Sequence, residues 1–455
     1  MAATALAVHT VTGPTVGTVA KPEQGGDVAV GDEPHAAAEA AVAPIRAPPG
    51  HVRLTPEGDA AGTAVAALDV QATLVYESGH DCRGYGVAVT VPAYLGNMRR
   101  VGAGPEPGVA HAALRVDGPA ATVERAARED VEAAMLAGGA THARGAGHRA
   151  QPEEPDRFRT CFERDLDRIQ HSRPFRRLAG KCQVFIAPTD DHLRTRLTHA
   201  IEVAQVAVSI ARPVGLNVAL TAAAATGHDC GHGPAGHASE GAFSPYLDGG
   251  YHHATYGADV VLVPLNLCAE TLDAVRNHSW NRPAPCTPEG EVVAWADRIA
   301  YLCHDFEDAV GAGIVTPGDL PVEVAEVVGT DRRTQLHRFI TAMIDSIIAS
   351  GAVAMRQPEA DALGAFRAFN FERIYLRPAS VDQAERVTML LRGLVDWFVA
   401  HPDELGGEAA DAPVTGSTGA VAEAVRYVSG MTDRFALALA VERLGWDPSR
   451  LPRGL

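Results

Sequence analysis

The sequence predicts a mainly α protein with a small β-containing region toward its N-terminus. Three observations predict it. Apolar residues recur at spacings of three and four through most of the chain after residue 190, alternating β-branched and aromatic residues are confined to two short runs before residue 95, and the texture changes abruptly after a Gly/His/Arg-rich stretch ending near residue 155. With 455 residues, 46% of them apolar, the chain can bury a substantial core.

Taken in order, residues 1–55 are rich in Ala, Val, Pro and Gly and lack an aromatic side chain, the composition of a flexible tail. Residues 56–150 are expected to form an α/β extension of unknown role. In it "VQATLVY" and "YGVAVTV" read as strands around the hairpin loop "ESGHDCRG", and "ATVERAAREDVEAAMLAG" reads as a short helix. The following "GATHARGAGHRAQPEEP" reads as a linker. Residues 151–330 contain helical periods over 191–212, 217–229 and 289–312. Residues 331–455 continue them over 333–350, 380–400 and 419–443, interrupted by a Pro/Gly/acid-rich surface loop at 402–418.

The charge balance is acidic, 39 basic against 56 acidic side chains for a net −17, which argues against a protein that coats nucleic acid or an anionic membrane. Seven scattered cysteines without a CxxC pair indicate neither a disulfide framework nor a zinc ribbon, and no apolar run of membrane-spanning length occurs. A cytoplasmic protein is expected.

"GHDCGHGPAGHASE", residues 227–240, gathers three histidines, an aspartate and a glutamate. The tetrapeptide GHDC also occurs at 79–82, so position must separate the two copies. His199 shares one helix face with Arg196 and Glu202, at intervals of three; the small-residue run "LTAAAAT" leads into His228 and Asp229; and Asp297, Tyr301 and Asp305 form a polar stripe at i, i+4 and i+8. Three helices therefore each present polar groups from an otherwise apolar side. Two imidazoles and two carboxylates make a mixed nitrogen and oxygen donor set that suits Mn, Fe, Co, Ni or Zn, with Mg less natural. Singly, His199 reads first as a satisfied core histidine and Asp297 as half of a structural ion pair; the ordered set is what points to a metal. His80 and Asp81 sit between predicted strands with no such companions, and His304-Asp305 reads as substrate contact or helix polarity.

In order, "RDLDRIQHSRPFRRLAGKCQVF", "RTRLTHAIEVAQVA", "GHDCGHGPAGHASE", "ADRIAYLCHDFEDAV", "FNFERIYL" and "YVSGMTDRFA" resemble the blocks of dGTPase-like deoxynucleoside triphosphate triphosphohydrolases of the HD phosphohydrolase superfamily, over about residues 157 to 445. The resemblance implies an HD-domain helical bundle over 151–330 with a C-terminal helical extension that completes the fold. It implies that His199, His228, Asp229 and Asp297 hold a divalent ion, Mn or Mg foremost and Fe, Co, Ni or Zn also compatible. His237, Glu240 and His232 would line the reaction centre, with His237 and Glu240 as an acid/base pair. Arg196 and then Arg298 would bind phosphate, and Gln183, Tyr301 and Asp305 the sugar. The expected reaction releases deoxynucleoside and tripolyphosphate from a dNTP; the alternatives are another nucleotide (a deoxynucleoside monophosphate or guanosine tetraphosphate) or a catalytically weak nucleotide sensor or nucleic-acid binder. A homo-oligomer and a dNTP activator are further expectations, with no membrane partner and nucleic acid not indicated. An anionic substrate also requires concentrated positive charge, and residues 157–181 hold eight basic against three acidic side chains. One departure from the family pattern is Arg426 in "RYVSGMTD", where an aspartate is usual.

Overall fold

The computed structural model describes residues 121–188, 190–405 and 414–452. Among them lie fifteen α-helices and no β-strand, so the mainly α reading holds; the two expected strands and the His80-Asp81 dyad lie outside the described residues. In chain order the helices are α1 (Arg125–Met135), α2 (Cys161–Gln170), α3 (Arg173–Arg177), α4 (Arg196–Ala211), α5 (Val218–Gly227), α6 (His237–Phe243), α7 (His253–Tyr256) and α8 (Ala269–Asn277). Then follow α9 (Pro288–Gly311), α10 (Val322–Val328), α11 (Arg332–Ser350), α12 (Gln357–Asn370), α13 (Pro378–Ala400), α14 (Thr418–Ser429) and α15 (Asp433–Leu444).

The helix starts are set by side chains that satisfy the free N–H groups of the first turn. Thr195 accepts from Thr198 N to open α4, Asn217 accepts from Leu220 N to open α5, and Thr287 accepts from Gly290 N to open α9, where Pro288 occupies the first turn. The single period expected over 419–443 is two helices, because Ser429 and Gly430 end α14 and Thr432 caps α15 by accepting from Phe435 N.

Helices α4, α5 and α9 pack together, and the Ala-rich face of α5 lets their backbones approach closely. Their buried Val203, Val206, Ile210, Ile299 and Leu302 join Phe339 of α11 and Phe366 of α12 in the main core. Removing the Phe366 ring, fully buried, would cost about 3–5 kcal/mol. A second core is built from Phe243 of α6, Leu391 and Leu394 of α13, and Val425 and Val428 of α14.

Residues 139–155, read from sequence as a linker, pack into the helical body instead. Thr141 N and Oγ1 donate to the fully buried Glu289, and the 1%-exposed Arg149 side chain donates to Asp165 Oδ1 at 2.6 Å, Asn266 O at 2.7 Å and Cys161 O at 2.8 Å. Polar contacts hold this segment, which is why it carries no apolar period.

The far end of the chain is tied to the 227–240 loop. Asp433 accepts Cys182 N at 2.9 Å with one oxygen and Ala235 N at 2.8 Å with the other, and buried Lys181 donates to Ser429 O at 2.9 Å and to His232 O. Ala235 (φ 58°) and Gly236 (φ 59°) both take positive φ in the turn that precedes α6. A non-glycine residue held there costs about 1–3 kcal/mol, which the Asp433 hydrogen bond helps to offset.

Candidate active site

The end of α5 meets the faces of α4 and α9, and this junction brings His199, His228, Asp229 and Asp297 together. His199 Nε2 stands 3.1 Å from Asp297 Oδ1, His228 Nε2 stands 3.6 Å from Asp297 Oδ1 and 3.4 Å from Asp229 Oδ1, and His199 Nε2 stands 3.9 Å from Asp229 Oδ2. The His228 Nδ1–H donates to Ala225 O at 2.7 Å, which leaves its Nε2 lone pair buried, without a hydrogen-bond partner and facing two carboxylates. Such an arrangement calls for positive charge. Burial alone would lower His228, but the Asp229 and Asp297 carboxylates raise it to about 9; both aspartates in turn lie well below the usual range because the histidines, and for Asp229 also Arg196, outweigh burial. A divalent cation satisfies the same demand, and the donor set fits one.

Asp229 is also gripped from α4, where fully buried Arg196 donates from Nη1 to Asp229 Oδ2 at 2.8 Å and keeps its Nε unpartnered. Gly236 permits that approach, since a Cβ there would lie 2.2 Å from Arg196 Nη2. A cleft of about 420 Å³ opens over the cluster and is lined by every expected substrate residue: Gln183, Arg196, Arg298, Tyr301 and Asp305. His232 and His237 reach the same cleft. Arg298 stacks on Trp280, its guanidinium carbon 3.5 Å from the ring centre, with an unpartnered buried Nε. Asp305 accepts from Tyr375 Oη at 2.7 Å, and burial pushes its carboxyl up to about 8, so it is largely protonated at neutral pH.

The expected His237–Glu240 pair is looser than its sequence spacing implies. His237 is 73% exposed at the cleft and its Nδ1 lies 3.7 Å from Glu240 Oε2, whereas Glu240 Oε1 accepts His253 Nδ1–H at 2.5 Å and His253 N at 3.0 Å. His253 in turn stacks on His232, ring centres 3.8 Å apart. Beside it His278 is fully buried; burial lowers both His253 and His278, the latter to about 3. His304 turns away from the cleft toward α4, its Nδ1 3.2 Å from Glu202.

Sequence reasoning missed His253, His278, Trp280, Arg367 and Tyr375. The first two lie on a four-residue helix and just past the end of α8, too short and too terminal for a periodic signal. The basic stretch at 157–181 is mostly committed elsewhere: Arg157 pairs with Glu124, Arg159 with Asp156 and Asp167, and Arg164 and Arg168 with Glu153. Arg173, Arg177 and Arg426 line a separate cleft on the other side of Gly231 and His232, where Arg426 pairs with Glu423.

Fold and site together define an HD-domain hydrolase. Residues 196–302 match the HD domain and residues 353–442 the Phosphohydrolase-associated domain. The chain is 38% identical to a deoxyguanosinetriphosphate triphosphohydrolase-like protein of Caldanaerobacter subterraneus subsp. tengcongensis, over 68% of its own length and 92% of that protein. It is 35% identical to proteins of the same name from Clostridium perfringens (63% of this chain, 87% of that protein) and a Ruegeria species (64% and 94%). This chain belongs to the deoxyguanosinetriphosphate triphosphohydrolase-like family.

Proposed function

We propose that the protein hydrolyses deoxynucleoside triphosphates to deoxynucleoside and tripolyphosphate. The observation that carries this reading is the convergence of Arg196, Arg298 and Arg367 on the cleft that holds the His/Asp cluster, each with a buried Nε lacking a partner. Guanidinium groups that keep an unpartnered nitrogen beside a cleft of an otherwise acidic protein suit a polyanion.

His199, His228, Asp229 and Asp297 would hold a divalent ion, which when bound would supply positive charge toward the phosphate and acidify water. The remaining work falls to side chains. Arg196 fixes Asp229 with one nitrogen and offers another to phosphate, while Arg298, braced on Trp280, holds the outer phosphates. His237, exposed at the cleft, passes a proton to the departing 5′ oxygen. Protonated Asp305, Tyr301 and Gln183 take the sugar, with Tyr301 crowding any 2′-hydroxyl. A homo-oligomer and dNTP activation belong to the same reading.

The test is product analysis. Purified protein with Mn²⁺ and each dNTP should yield tripolyphosphate and deoxynucleoside on ion-exchange chromatography; stepwise release of orthophosphate or of pyrophosphate would refute the reaction, and turnover of dNMP or guanosine tetraphosphate alone would replace the substrate.

A further inference from the structure

Cys161 opens α2 and Cys268 caps α8, so no CxxC spacing announces them as partners, yet the fold sets their side chains against each other. They are 1% and 0% exposed and share a small apolar cluster with Ala143, Phe162 and Leu220. Gly147 covers both. A Cβ at Gly147 would lie 2.4 Å from Cys268 Sγ, 2.8 Å from Cys161 Cβ and 3.2 Å from Cys161 Sγ, so the two thiols press on one point of the chain above them, where the backbone takes a φ of 76°.

We propose that Cys161 and Cys268 form a reversible disulfide on oxidation by hydrogen peroxide, stapling α2 to the start of α8.

The backbone around the pair is already fixed. Cys161 O accepts from Arg149 Nη2 at 2.8 Å, and Ala269 N donates to His148 O at 2.7 Å. Asp165, one turn along α2, accepts from Cys268 N at 2.9 Å and from Thr271 Oγ1 at 2.7 Å, which fastens the first turn of α8 to α2. Side-chain rotation is then the movement left to bring the sulfurs to the about 2.05 Å of a disulfide. Cys161 is the attacking sulfur. The Cys268 thiol donates to it, and that hydrogen bond, with the Arg144 N–H and the Arg149 guanidinium, holds Cys161 below the ordinary thiol range despite burial; the same bond and burial push Cys268 up. The Cys161 thiolate attacks one peroxide oxygen and the other leaves as hydroxide, which takes up a proton to become water. Cys268 sulfur then attacks the resulting sulfenic sulfur, and the displaced hydroxyl departs with the Cys268 proton as a second water. Two thiols are oxidised and one peroxide is reduced. Local opening of residues 139–155, which polar contacts hold in place, admits the oxidant. Helix α8 runs from Cys268 to His278, whose ring packs against His228, so the bond braces one wall of the His/Asp cluster without touching its four residues. The inference is independent of the proposed reaction.

The experiment maps peptides. Full-length protein is treated with hydrogen peroxide, its remaining thiols are blocked with iodoacetamide in denaturant, and it is digested without reductant. Mass spectrometry should find the Cys161 and Cys268 peptides joined, two hydrogens lighter than their sum. Closing a loop of roughly a hundred residues should raise the thermal midpoint by about 4–8 °C, reversed by dithiothreitol. Cys161→Ser and Cys268→Ser should each abolish that rise, and Cys286→Ser, at an exposed thiol, should keep it. Recovery of Cys161 and Cys268 as separate alkylated peptides, at a peroxide dose that oxidises Cys286, overturns the proposal. So does a joined pair with an unchanged midpoint. The wild-type map and its midpoint decide even if a serine variant fails to fold.

Discussion

Replacing Arg149 with methionine should destabilise the protein by about 3–5 kcal/mol, the usual consequence of removing one partner from a buried ion pair. The side chain is 1% exposed and its Asp165 partner fully buried, so water cannot substitute for the lost guanidinium. Asp165 would keep its bonds from Cys268 N and Thr271 Oγ1 but lose its counter-charge, and the Asn266 and Cys161 carbonyls would lose donors. Against a typical total stability of about 5–15 kcal/mol, that loss shifts a urea midpoint strongly. Asp165→Asn removes the stranded charge, so the double variant should be more stable than the sum of the single losses implies, by about 1–3 kcal/mol. Truncation makes the same point about where the catalytic body begins. Deleting residues 1–120 should leave a cooperative urea transition, whereas deleting 1–150, the boundary expected from sequence, removes α1 and Arg149 together. The reasoning fails if Arg149→Met costs under about 1 kcal/mol, or if the two truncations unfold at the same midpoint.

Four further outcomes are expected. Asp305, pushed up to about 8 from an ordinary 3.8, keeps its proton in the fold after the unfolded chain has lost its own. Its contribution to stability therefore falls as pH rises between those values, by at most about 1.4 kcal/mol per unit, and levels off above the upper one. Asp305→Asn should remove that slope from denaturant melts; a constant difference between variant and wild type across the range contradicts it. Gly236→Ala should lower the thermal midpoint and weaken tripolyphosphate binding by calorimetry, because its Cβ would collide with Arg196; no change in either would show that the turn yields freely. Asp229→Ala should lose metal that Asp81→Ala retains, and equal loss in elemental analysis would mean the repeated tetrapeptides had been ranked wrongly. His237→Ala should bind dNTP and metal normally while single-turnover rates drop about 10²- to 10⁴-fold; loss of metal would recast His237 as a ligand.

The helical body was legible wherever a long apolar period met a capping residue, as in α4, α9 and α11. The residues His199, His228, Asp229 and Asp297 stood out because each is polar on a long apolar helix or at its very end. His253 and His278 had no such contrast. They sit in "YHHATYG" and "NHSWNRP", short segments whose positions depend on packing against Gly231 and α9 and not on any period of their own. A Cβ at Gly231 would lie 2.0 Å from His253 O, a backbone approach that no local pattern announces. Arg149 was hidden for a related reason: beyond Glu153 four residues on, its partners are Asp165 on another element and backbone carbonyls, and its Gly/His/Arg-rich surroundings have the composition of a linker. The basic stretch at 157–181 misled in the other direction, since charge density along a chain does not reveal which charges already have partners.

The clasp formed by Asp433 gives the order of synthesis a consequence. Ala235 is translated 198 residues before the carboxylate that holds its N–H. A growing chain has His199, His228, Asp229 and Asp297 in hand while the turn that aims His237 still lacks its anchor, and Lys181 still lacks the Ser429 carbonyl. The anchoring of this turn therefore waits for α15 to leave the ribosome, and fragments cut short before it carry the His/Asp cluster without the Asp433 hydrogen bonds.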